Sequence, residues 1–171
     1  MQLDADLSHP QAEPTDEPII HVSDLVVAFG DRKILKGLSL DVRRGEILGF
    51  VGASGGGKSV LTRTILGLVP KVSGTVQVFG QDLDALDFEE RRKLEQRWGV
   101  LFQQGALFSS LTVKQNIQFP MREFLTMSQQ LMDEVALAKV EMVGLPPDVL
   151  EKMPSELSGG MIKRAALARA L

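Results

Sequence analysis

The sequence contains no cysteine, which excludes a disulfide framework and any thiolate metal site. That absence suits a reducing compartment. No apolar run approaches the roughly 18 residues that a membrane-spanning helix needs, so no part of the chain is expected to cross a bilayer. The opening MQLDADLSHP has neither a basic n-region nor an apolar h-region, and no secretory signal is expected there. An excess of positive charge is missing as well. The net charge is −3, yet Asp4, Asp6, Glu13, Asp16 and Glu17 all fall in residues 1–17, which hold no Lys or Arg. What remains is only slightly basic. Such a body lacks the electrostatic footprint for duplex DNA or RNA, and no nucleic-acid partner is expected. His9 and His21 are the only histidines, one in the acidic stretch and one in a strand-like stretch, and neither is given a role.

What is present is a globular composition of 171 residues, 44% hydrophobic and 24% charged, enough for one domain with a core. Residues 1–17 read as a flexible acidic leader. IIHVSDLVVAF (19–29) reads as a strand, Gly30-Asp31 as a turn, and ILKGLSLDV (34–42) as a half-buried strand. EILGFVG (46–52) is almost wholly apolar, which predicts a strand covered on both faces. SVLTRTILGLV (59–69) reads as a helix, GTVQVFG (74–80) as a strand, and GVLFQ (99–103) as a short buried strand. Between the last two, DFEERRKLEQRW (87–98) opens with Asp87 and Glu90 at capping-box spacing, the start of a surface helix. From 111 to about 150 only helix signals occur, with breaks expected at Pro120 and Pro146-Pro147. Thr126 and Gln129 have capping-box spacing, and Leu131, Val135, Ala138 and Met142 recur on one face.

Two stretches carry chemistry. GASGGGKS, residues 52–59, satisfies G-x-x-x-x-G-K-[ST] between an apolar strand and a helix. Gly52, Ala53, Ser54, Gly55, Gly56 and Gly57 would wrap a phosphate with main-chain N–H groups, which bulky side chains would obstruct. Lys58 would reach the β- and γ-phosphates of a nucleotide, and Ser59 would ligate Mg²⁺ from the first helical turn. The second stretch is LSGGMIKRAALARAL, residues 157–171, a helix opening on Ser-Gly-Gly. Such a start presents bare N–H groups to an anion.

GASGGGKS, the Gln in VLFQQGALF and LSGGM before a basic-apolar helix together resemble the nucleotide-binding subunit of an ABC transporter. The resemblance runs from Pro18 to Leu171. It implies an α/β fold: a P-loop NTPase core with an N-terminal antiparallel β part and an inserted α-helical subdomain, about 105–157, inside an ATPase domain of 18–171. It implies ATP and Mg²⁺ as cofactors and two subunits that sandwich ATP head to tail. Ser158, Gly159 and Gly160 would then face the γ-phosphate held by a second copy. Gln103 would contact Mg²⁺ or the attacking water, and Phe29 would stack on adenine. A membrane permease is the implied partner, which would place the chain on the cytoplasmic face of the cell membrane. Leu107, Phe108, Leu111, Val113, Ile117, Phe119, Met121 and Phe124 are expected to divide, most packing in the core of the insert and a few lining a groove for that permease.

LSGGM carries Met161 where the superfamily usually has Gln, and with GALFSSLTVKQNIQFPMRE it looks like the ATPases of Mla-type phospholipid, toluene-tolerance and Mce-associated transport. The resemblance also implies an apolar strand ending in Asp-Glu and, beyond it, a switch histidine. Neither follows the signature helix in these 171 residues, so the C-terminal half of the core is expected to be missing and the chain to be truncated. A soluble ATPase of the same type not tied to transport, and a non-catalytic nucleotide-binding fragment, are the alternative readings.

Overall fold

The computed structural model describes residues 17–53 and 55–171. Residues 1–16 of the expected leader, and Ser54, lie outside that description. The chain divides into two compact units after Arg91.

The first unit is built on an antiparallel hairpin. Strand β1 (Ile20–Phe29) turns at Gly30-Asp31 into β2 (Arg32–Val42), with Phe29 paired to Arg32 and Ile20 to Val42. Helix α1 (Lys58–Ile65) follows, then β3 (Ser73–Val78) and the two-residue β4 (Gln81–Asp82). The sheet order is β2-β1-β3-β4, antiparallel throughout. Strand alternation sends Val76 and Val78 inward, and in β1 it shifts phase at a bulge so that Val22, Leu25 and Val27 are all buried. Leu61 and Ile65 of α1 are buried as well.

Two expected strands are absent. Residues 46–52 carry no ladder, and Ile47 and Val51 are 99% and 98% exposed. Residues 99–103 are likewise unpaired, with Leu101 and Phe102 exposed. The reason is that a strand exists only through its neighbours, and an apolar run between two helical layers needs a parallel ladder to join. Among the described residues the one sheet is antiparallel and ends at β2 and β4, so neither run has such a ladder. Helix α1 also stops four residues short of the expected span, at Ile65, where Gly67 turns to φ +68°.

The second unit is helical. Helix α2 (Phe88–Glu95) runs across the boundary and is capped reciprocally as expected: the Asp87 N–H donates to Glu90 (3.0 Å) and the Glu90 N–H to Asp87 (2.8 Å). Then come α3 (Val113–Phe124), α4 (Gln129–Met142), two short 3₁₀ turns and α5 (Gly159–Ala170). Val113, Ile117 and Met121 of α3, Met132, Ala136 and Val140 of α4, and Ala165 and Ala168 of α5 form its core.

Three local expectations shift here. Pro120 does not break α3. An internal proline costs about 3 kcal/mol, but Ile117 and Met121 flank it in the core, and burying them is worth about 1.5–3 kcal/mol each. The cap of α4 is Ser128, which accepts from the Leu131 N–H, rather than Thr126. The buried stripe of α4 is Met132, Ala136 and Val140, with Leu131, Ala138 and Met142 exposed. Both stripes fit a helical period. Buried Gln118 of α3 settles the rotation by donating to Asp133 at 2.7 Å, which turns that side of α4 inward.

Candidate nucleotide site

In the first unit the Gly-rich segment runs into α1. Gly57 is buried, caps the helix at φ +87°, and leaves no room for a side chain: a Cβ would lie 2.9 Å from Leu35 Cδ2 and 3.2 Å from Ile34 Cγ2. No side chain caps α1, so its first-turn N–H groups are left to the loop side. The Gly56 N–H donates to Ala53 O (3.2 Å), folding the loop back on itself. Across its mouth lies the Lys58 ammonium, donating to Gly52 O (2.6 Å) and Ala53 O (2.7 Å). Gly52, Ala53, Gly55, Gly56, Gly57, Lys58 and Ser59 are thus gathered at one helix start, with Ser59 exposed in the first turn. A positive charge, free N–H groups and a hydroxyl at a helix N-terminus are the donor set for a phosphate. Phe29 closes β1 as a residue 54% exposed, open to stacking.

Gln103 and Ser158 belong to the second unit. Gln103 sits at the exposed tip of a turn closed by the Gly105 N–H donating to Phe102 O at 2.9 Å. Ser158 is the N-cap of α5, its hydroxyl accepting from the Met161 N–H at 3.3 Å. That leaves the O–H free to donate. Gly159 and Gly160 follow on the exposed first turn, with no atom within 4 Å of where a Cβ would stand. A bulky anion can therefore approach the backbone there.

Two residues that the sequence did not single out hold this region. Asn116, fully buried, accepts from the Phe108 N–H (2.8 Å) and donates to the carbonyls of Phe108, Leu111 and Thr112 (3.0–3.1 Å). Its one signal is a lone amide in an apolar helical face. Arg169 donates to Gly105 O and Ala106 O, and burial pushes its guanidinium below the usual value while leaving it charged. No local pattern marks it.

The apolar run divides, with fewer of its members buried than expected. Val113, Ile117 and Met121 are in the core, whereas Phe108, Phe119 and Phe124 stay exposed beside a cavity of about 630 Å³. The Phe108 and Phe119 rings lie 4.7 Å apart, and Lys139, its ammonium pushed to lower pKa by burial, also lines that cavity. No group of three or more His, Asp or Glu suited to a metal occurs among the described residues.

The family described as ABC transporter matches residues 35–171. The chain is 40% identical over 156 residues to the intermembrane phospholipid transport system ATP-binding protein MlaF of Haemophilus influenzae, covering 91% of this chain and 59% of that protein. It is 38% identical over 152 residues to the probable ribonucleotide transport ATP-binding protein mkl of Mycobacterium leprae, covering 89% and 44%. The chain thus spans about half the length of the curated relatives it matches. Among solved structures, the ADP- and phosphate-bound dimer of the ATP-binding cassette MJ0796 superposes with a TM-score of 0.80 at 29% identity, over 89% of this chain and 68% of that one. The P-loop cassette fold with its antiparallel N-terminal sheet is therefore shared, and the chain belongs to the ABC transporter family as part of its ATP-binding cassette.

Proposed function

We propose that this chain is the ATP-binding, energy-coupling part of an ABC transporter for phospholipid or a related hydrophobic solute. One observation carries it: the Lys58 ammonium bridges Gly52 O and Ala53 O over an uncapped helix start that Gly57 alone can form. A triphosphate draws Lys58 off those carbonyls onto phosphate oxygens, while the α1 N–H groups close on the β-phosphate. Ser59 supplies the hydroxyl ligand for Mg²⁺, which when bound offsets the charge on the phosphates. Phe29 stacks on the base. Gln103 orients the water or metal from its exposed turn, and Ser158 with Gly159 and Gly160 meets the γ-phosphate bound by a second copy. Support for a two-copy arrangement comes from the dimeric MJ0796 cassette. In this reading Phe108, Phe119 and Phe124, all exposed, offer a permease an apolar face from the cytoplasmic side of a membrane. No helix among the described residues is long and apolar enough to cross one. The phospholipid assignment rests on likeness to MlaF and on the LSGGM and GALFSSLTVKQNIQFPMRE stretches.

Calorimetric titration with a non-hydrolysable ATP analogue and Mg²⁺ tests the carrying observation. Lys58→Ala removes a charged donor to phosphate, so affinity is expected to fall roughly ten- to a hundredfold. Equal affinity in the two proteins would overturn the assignment.

A further inference from the structure

Arg169, near the end of α5, is half-buried, and the functional reading gives it no role of its own. Its guanidinium donates to Gly105 O (2.9 Å) and Ala106 O (2.8 Å) and lies over the Phe108 ring, 5.9 Å from the centroid. Two successive carbonyls in left-handed backbone, at φ +79° and +48°, converge on one planar fork. A guanidinium matches that geometry and an ammonium does not. The same Gly105 gives its N–H to Phe102 O, which closes the turn bearing Gln103. Helix α5 also presses on this turn directly, since a Cβ at Gly105 would come within 3.1 Å of Ile162 Cγ2 and 3.2 Å of Ala166 Cβ. Three residues on, the loop passes into the grip of Asn116, which belongs to α3. The Gln103 turn is thus tied to one helix and the loop beyond it to another.

We propose that Arg169 is a positioning residue for Gln103, fixing the Gln turn to α5 so that Gln103 and the Ser158 end of that helix move as one body. The proposal rests on reading both as phosphate-facing groups. Helix α5 has 12 residues, about 18 Å of rigid rod. A displacement at Ser158 therefore reaches the Gln103 turn through the helix and the guanidinium, without passing through the packing of α3 on α4.

Amide exchange followed by NMR on the chain separates this tie from general support of the fold. In Arg169→Ala the Gly105 amide is expected to exchange about tenfold faster, while the Phe108 amide stays within about twofold. Arg169→Lys should lie between, because it keeps charge and stem but not the fork. Asn116→Ala should do the reverse, freeing Phe108 and sparing Gly105. The amides of Ala136 and Val140 in the core of α4 report whether the second unit is intact, and if Arg169→Ala fails to fold, Arg169→Lys carries the test. Unchanged exchange at Gly105, or Gly105 and Phe108 speeding together in both Arg169 and Asn116 variants, would overturn the proposal. Calorimetry on the unmodified chain reads nucleotide binding separately, so a failure there would sink the functional reading and leave the Gly105 result standing by itself.

Discussion

At Gly57 the space for a single methyl group decides whether the phosphate loop can form. The residue has φ +87°, and its missing Cβ would press on Leu35. Gly57→Ala therefore meets both a left-handed backbone, costing about 1–2 kcal/mol, and a clash in the core of the first unit. Thermal unfolding of that unit is expected a few degrees lower, and calorimetry should show nucleotide affinity falling with it. A melting point and affinity equal to the parent's would contradict this account of the loop. The helix start at Gly57 and Lys58 was legible because its signal is local and lies in six neighbouring residues. Ser158 was legible for the same reason, as an N-cap whose partner is Met161. Arg169 was not, because its partners Gly105 and Ala106 lie more than sixty positions upstream and only folding brings them together.

The same division separates elements. The hairpin β1–β2 was readable because its turn and its alternation both lie within adjacent residues. The runs at 46–52 and 99–103 were misjudged because apolar sequence shows that cover is needed, not that a neighbouring strand supplies it. Helix α4 was found but rotated, since the contact that orients it, Gln118 to Asp133, crosses between helices. That contact has a pH signature. Donation from Gln118, and next from Gln129, holds the Asp133 carboxyl below the usual carboxylate range. A group whose folded pKa lies below its unfolded value of about 3.9 stabilises fully above that value, and its contribution disappears as pH falls through the folded one. Urea midpoints of the second unit should therefore drop between about pH 5 and pH 2, and drop less in Asp133→Asn, which keeps an acceptor but does not titrate. An identical acid loss in both proteins would rule this out. Asn116→Ala is the harsher change. It strands the Phe108 N–H and Leu111 O, while Phe108 O and Thr112 O keep a backbone donor, and a loss of about 2–4 kcal/mol in the second unit's unfolding free energy is expected.

Across the whole molecule, the exposed apolar segment 46–52 and the two-copy reading make separate demands. Ile47 and Val51 are almost fully exposed in a segment with no ladder, a surface prone to association. Ile47→Lys is expected to lower binding of an apolar-surface dye and to raise solubility without changing nucleotide affinity. Dye fluorescence and calorimetry check the two halves of that statement. Association of that kind does not need ATP; the sandwich does. Sedimentation velocity with and without a non-hydrolysable ATP analogue and Mg²⁺, on the parent chain and on Ser158→Arg, therefore reaches the central claim most directly. The account predicts a dimer that appears only with nucleotide in the parent. It predicts none in Ser158→Arg, although that variant binds nucleotide with the parent's affinity, because Ser158 serves the phosphate held by the other copy. An ATP-dependent dimer in Ser158→Arg as strong as the parent's, or a parent that binds nucleotide and stays monomeric, would contradict it.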